Sequence, residues 1–147
     1  MDVLDLEKPG AWVPPTDTGE LRIYRAEPSA ARLARVFVRE CLTACDRKDL
    51  IENAEEVISE LATNAIRHGT SAGGYFAVRF ECHRKGCIFD VIDRCPKAMP
   101  VLRDADDLDE GGRGLHLVEA LTDSWGYFRR PLKQNRVFVK VVRVAFI

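Results

Sequence analysis

Four polar residues stand close together in one stretch of the chain: Glu60, Asn64, Arg67 and His68. On a helix, at about 100° per residue, Glu60, Asn64 and Arg67 share a face, and His68 lies at its edge toward the apolar stripe. A carboxylate there can take a proton as general base. An amide oxygen is a hard donor suited to Mg²⁺. A guanidinium pairs with phosphate oxygens. The same stripe also suits the ordinary solvent side of an amphipathic helix.

A second group is the run Glu110-Gly111-Gly112-Arg113-Gly114-Leu115-His116-Leu117-Val118. Glycine lets backbone N–H groups approach an anion with no Cβ in the way. A helix starting there adds unpaired donors and a partial positive charge, which suits a phosphate. A loop with a helix cap explains the glycines equally well. Asp93 is the third feature: it ends an apolar run and precedes Arg94-Cys95-Pro96. Its carboxylate suits an exocyclic amine, or an ordinary turn.

These groups need elements to position them. Residues 1–20 carry Pro9, Gly10, Pro14, Pro15 and Gly19, and read as a flexible arm before a domain over 21–147. Leu21 to Ala26 alternates as a strand. Pro28 and Ser29 start a helix over 28–46, with Leu33, Val36, Phe37 and Leu42 as its stripe. Asp49 is placed to cap a second helix over 49–68, striped by Ala54, Val57, Ile58, Leu61 and Ala65 and ended by Gly69. The runs 75–82 and 87–93 flank a short turn and predict a hairpin.

The stretch 94–112 is a long loop with Asp104, Asp106, Asp107, Asp109 and Glu110. Loops of that length are uncommon unless they act as lids or stay disordered, and the glycine run at its end favours a lid. A helix over 113–122 and strands over 124–129 and 136–144 complete the domain. Strands and helices that do not alternate strictly predict an α+β fold, with helices on one face of a mainly antiparallel sheet.

Bulk properties narrow the function classes. The chain has 147 residues, enough for one domain with a real core. Its net charge of −1 gives no global field to recruit nucleic acid or an anionic membrane. No apolar run is long enough to span a bilayer, and residues 1–8 lack the basic start and apolar centre of a signal peptide. A cytoplasmic protein is expected.

The five cysteines fit a reducing compartment, being odd in number with no disulfide framework. Cys41 and Cys45 lie one helical turn apart, and Cys82 and Cys87 flank the hairpin turn. Structural zinc needs four ligands, and no second close pair completes the set. Small buried apolar side chains are the expected role.

The combination is more specific than its parts. Glu60-Leu61-Ala62-Thr63-Asn64-Ala65-Ile66-Arg67-His68-Gly69 resembles the N box of the GHKL, or histidine kinase-like, ATPase superfamily. Ile92-Asp93-Arg94-Cys95-Pro96 is similar to its first glycine box, and Gly111 to Val118 to its second. The resemblance covers residues 20–145. It is nearest to the stand-alone branch of bacterial anti-sigma factor serine/threonine kinases of the RsbW and SpoIIAB type.

That resemblance implies a Bergerat ATP-binding fold, a two-layer sandwich with helices on one face of a mixed, mainly antiparallel sheet. It implies ATP and Mg²⁺ as ligands. Glu60 would be the catalytic base toward a serine or threonine hydroxyl, and Asn64 the Mg²⁺ ligand. Asp93 would take the adenine amine. Gly112, Arg113, Gly114 and Leu115 would surround the phosphates. Arg67 would sit near the phosphates and His68 near the ribose or adenine. Met99, within a lid over 96–112, would cover the base. The partners implied are a sigma factor and an anti-anti-sigma protein of the STAS type, and relatives of this type often form dimers.

Two positions depart from the pattern. Cys95 stands where the first box usually has glycine, and Gln134-Asn135-Arg136 stands where Gly-Thr usually precedes the last strand. These departures keep open an ATP-binding interaction module without kinase activity. A sensor histidine kinase fits less well, because none of His68, His83 and His116 lies in a separate dimerisation helix.

Overall fold

The computed structural model describes residues 19–69, 74–94, 110–131 and 138–147. Its strands are β1 (Glu20–Arg25), β2 (Tyr75–His83), β3 (Gly86–Asp93), β4 (Ser124–Pro131) and β5 (Phe138–Phe146). Its helices are α1 (Ser29–Ala44), α2 (Ile51–Asn64) and α3 (Glu110–Leu121). The strands form one sheet in the order β1-β2-β3-β5-β4. The α+β class is as expected, and every described pairing is antiparallel. No described helix is long and apolar enough to cross a membrane.

The period of two along each strand sorts the sheet into two faces. Phe76, Val78, Phe80, Phe89, Val91, Val142, Val144 and Phe146 point toward the helices and form the core with them. Burying one such side chain contributes roughly 1.5–3 kcal/mol. The opposite face carries a buried charged cluster. Arg143 donates to both carboxylate oxygens of Asp90, at 2.8 and 2.9 Å. Arg79 donates to Asp90 at 2.9 Å and also pairs with Glu81. Lying on neighbouring strands, these groups satisfy one another where water is largely excluded.

The helices depart from expectation in their details. In α1 the buried set is Ala30, Ala34, Phe37, Val38, Cys41 and Leu42, whereas Leu33 and Val36 are about half exposed. The small side chains Ala30, Ala34 and Cys41 turn inward, which rotates the larger Leu33 and Val36 outward. All five residues of the α2 stripe are buried. Asp49 does not cap α2: a 3₁₀ turn over Lys48–Leu50 precedes that helix, and no side chain caps it. The Asp49 carboxylate instead accepts two bonds from Arg47, at 3.0 and 3.1 Å.

The hairpin forms as predicted, with Arg84 and Lys85 in its turn. Gly86 is fixed by crowding, since a Cβ there would strike the backbone of Phe146 and Ile147. The helix expected over 113–122 starts earlier, at Glu110, so the glycines lie in its first turns rather than ahead of it.

Candidate functional site

The N-terminal half of the candidate site is carried by α2. Val57, Ile58 and Leu61 fasten the helix to the core, and Glu60 and Asn64 on the other side are half-buried. After Asn64 the chain widens into a π-helical turn over Ala65–Gly69. Such turns are rare and occur frequently at functional sites. The wider turn rotates the chain less per residue. Arg67 and His68 therefore fall short of the positions an unbroken α-helix gives them. Both side chains are exposed, and His68 does not lie toward the apolar stripe.

The turn ends against β3. A Cβ on Gly69 would collide with the Asp93 carboxylate, so only glycine permits this approach. The end of the N-box stretch and the end of the apolar strand therefore meet at one point. Asp93 is only 2% exposed and Lys140 only 4%. The Lys140 ammonium donates to Asp93 Oδ2 at 3.0 Å. The pairing follows from register, since Asp93 on β3 lies opposite Lys140 on β5.

Sequence reasoning missed Lys140. A signal existed, because alternation along β5 places Lys140 on the face of Val142 and Val144. A buried cation on a core face requires a partner. A carboxylate offers several lone pairs and can accept from more than one donor at once.

The third part is α3, which packs against α2. Leu115 and Val118 are buried and anchor it. Helix geometry leaves the amides of the first turn, those of Gly111 and Gly112 included, without internal acceptors. The amides of Gly114 and Leu115 fall within the helix and bond back along it, so the candidate anion donors move to the earlier glycines.

The Arg113 side chain lies outside the described residues, as do Cys95, Met99 and the rest of residues 95–109, which hold most of the expected lid over 96–112, and Gln134 to Arg136. The structure thus brings Gly69, Asp93 and Lys140 together, with Asn64 one turn away along the chain, and packs α3 on the helix that carries Glu60.

This donor set fits a magnesium nucleotide. Asn64 offers a neutral hard oxygen, Asp93 a buried acceptor for an amine, and the α3 start a set of amides for phosphate. Gly69 packs directly against the Asp93 carboxylate.

Comparison with known proteins agrees in outline. Residues 24–141 match the family model of the histidine kinase-like ATPase domain. Over 89 residues the chain is 34% identical to the serine-protein kinase RsbW of Bacillus licheniformis. That match covers 51% of this chain and 55% of the relative, so the chain spans about half the length of the curated protein it matches.

Proposed function

On the premise that this chain belongs to the histidine kinase-like ATPase family, we propose that it is an ATP-dependent serine/threonine protein kinase that acts as an anti-sigma factor. Its substrate is an anti-anti-sigma protein, its second partner a sigma factor, and its place of action the cytoplasm. The observation that carries this reading is the meeting of Gly69 with Asp93, which joins the end of the N-box stretch to the candidate adenine acceptor. The relative's name, a serine-protein kinase, supports the choice of phosphoacceptor.

The residues divide the work as phosphoryl transfer requires, by positioning and charge neutralisation. Asp93, held by Lys140, accepts a hydrogen bond from the adenine amine and fixes the base. Asn64 supplies a ligand to Mg²⁺, which when bound neutralises phosphate charge. The amides at the start of α3 hold phosphate oxygens. Glu60 accepts the proton of the attacking hydroxyl as that oxygen bonds to the γ-phosphorus. The bond from the γ-phosphorus to the bridging oxygen breaks, and ADP leaves with that electron pair.

Incubation with γ-labelled ATP, Mg²⁺ and a cognate anti-anti-sigma protein tests the proposal. Acid-stable label on the partner is the expected result. Glu60→Gln should lower the transfer rate by about 100- to 10,000-fold, the usual contribution of a general base. ATP binding with no transfer by the unaltered protein would overturn the kinase assignment in favour of an interaction module. The paired state of Asp93 and the Cys95 departure are the features that favour that second reading.

A further inference from the structure

Three thiols from two distant parts of the chain meet at the other end of the sheet. Cys45 follows the last turn of α1, while Cys82 and Cys87 face each other across the β2–β3 hairpin. Their sulfur atoms all lie within 4.8 Å of one another. The sequence offered two separate pairs, Cys41 with Cys45 and Cys82 with Cys87; the fold brings one thiol of the helix pair to the hairpin pair. Cys87 is buried, Cys45 half-buried and Cys82 exposed.

We propose that Cys45, Cys82 and Cys87 form a binding site for a thiophilic dication of the zinc type, with three sulfur ligands and a fourth position open to solvent beside Cys82. The spacing fits. Zinc–sulfur bonds of about 2.3 Å at the tetrahedral angle set ligand sulfurs about 3.8 Å apart. The Cys87 and Cys82 sulfurs are 3.8 Å apart.

The chemistry fits as well. Three sulfur atoms gathered this closely offer a cation three ligands from one side. Thiolate ligands select zinc and other soft metals over magnesium or calcium. One dication and three thiolates leave a net charge of about −1.

Along β3, Cys87 stands about 20 Å from Asp93 at the usual rise per residue. The site is therefore separate from the candidate nucleotide site. A bound ion ties the end of α1 to the hairpin and acts as a staple.

The test is titration of the fully reduced, full-length protein with Co²⁺ as a spectroscopic probe, followed by Zn²⁺ displacement. One equivalent of Co²⁺ should give a thiolate-to-cobalt charge-transfer band that Zn²⁺ abolishes, and Zn²⁺ should raise the Tm. Cys82→Ser lies at an exposed position and keeps the fold, yet should lose the band. Cys45→Ser should lose it too, and Cys95→Ser should retain it. No stoichiometric uptake by the reduced protein would overturn the proposal. So would a band that survives in both Cys45→Ser and Cys82→Ser. Mild oxidation that joins Cys82 to Cys87, in a protein that takes up no cobalt, would also overturn it by making the cluster a redox pair.

Discussion

Asp93 sits between two constraints, Gly69 above it and Lys140 beside it. Asp93→Ala should weaken ATP binding by about 1–3 kcal/mol, the scale for stranding a buried polar partner. The replacement also takes a carboxylate from the buried Lys140 ammonium, so the cleaner protein couples Asp93→Ala with Lys140→Met, which removes both charges from the core. Calorimetry on that folded double variant should still show the loss, and unchanged affinity would refute the adenine assignment. Gly69→Ala should weaken binding in the same way, because the new methyl group displaces the carboxylate. Asn64→Ala should leave nucleotide binding measurable but no longer responsive to Mg²⁺. A variant whose affinity still rises with Mg²⁺ as in the parent would refute that ligand. At this scale the sequence was only partly legible. Glu60, Asn64 and Asp93 stand out as candidates by type and spacing. The partner of Asp93 is less plain: alternation puts Lys140 on the core face of β5, but which residue of β3 lies opposite depends on how two strands distant in sequence pair.

Elements were read more easily than their ends. The α2 stripe and the β2–β3 hairpin are short-range patterns, and both form as expected. The α1 stripe was misplaced because alanine and cysteine carry little weight in a hydrophobic count, yet small side chains let the helix approach the core. The start of α2 was misread because Arg47, two residues before Asp49, draws off the carboxylate that a cap requires. The π turn after Asn64 has no sequence signal of its own; it forms where the chain must deliver Gly69 to Asp93. The sheet's charged face was not foreseen either, since Arg79, Asp90 and Arg143 lie on three different strands. Those three make a sharp prediction. Asp90→Ala leaves two buried guanidinium groups without their shared carboxylate, which should cost about 3–5 kcal/mol of stability. Denaturant unfolding checks it: a loss below about 1 kcal/mol, the range of exposed ion pairs, would show that solvent already shares this network.

For the molecule as a whole, the buried ionisable side chains set how stability responds to alkali. Burial first, and then the Glu20 carboxylate, push the Cys41 thiol from its ordinary 9.0 up to about 12. Burial likewise raises Cys45, Cys87 and Tyr24. In each case the folded protein holds a proton that the unfolded chain has already released. The unfolded state then binds fewer protons than the native state, so stability falls as pH rises. The contribution of Cys41 is complete below the unfolded value near 9 and declines between there and about 12. The Tm of the reduced protein should therefore hold steady on the neutral side of pH 9 and fall beyond it. Cys41→Ala removes one of these protons and should make the alkaline decline shallower, while lowering the plateau by the small cavity it leaves. A thermal-shift series across this range separates the two effects, one moving the plateau and the other the slope. If parent and variant fall in parallel above pH 9, the Cys41 thiol is not protected from solvent by the α1–sheet packing described here, and the buried side of α1 must be reassigned.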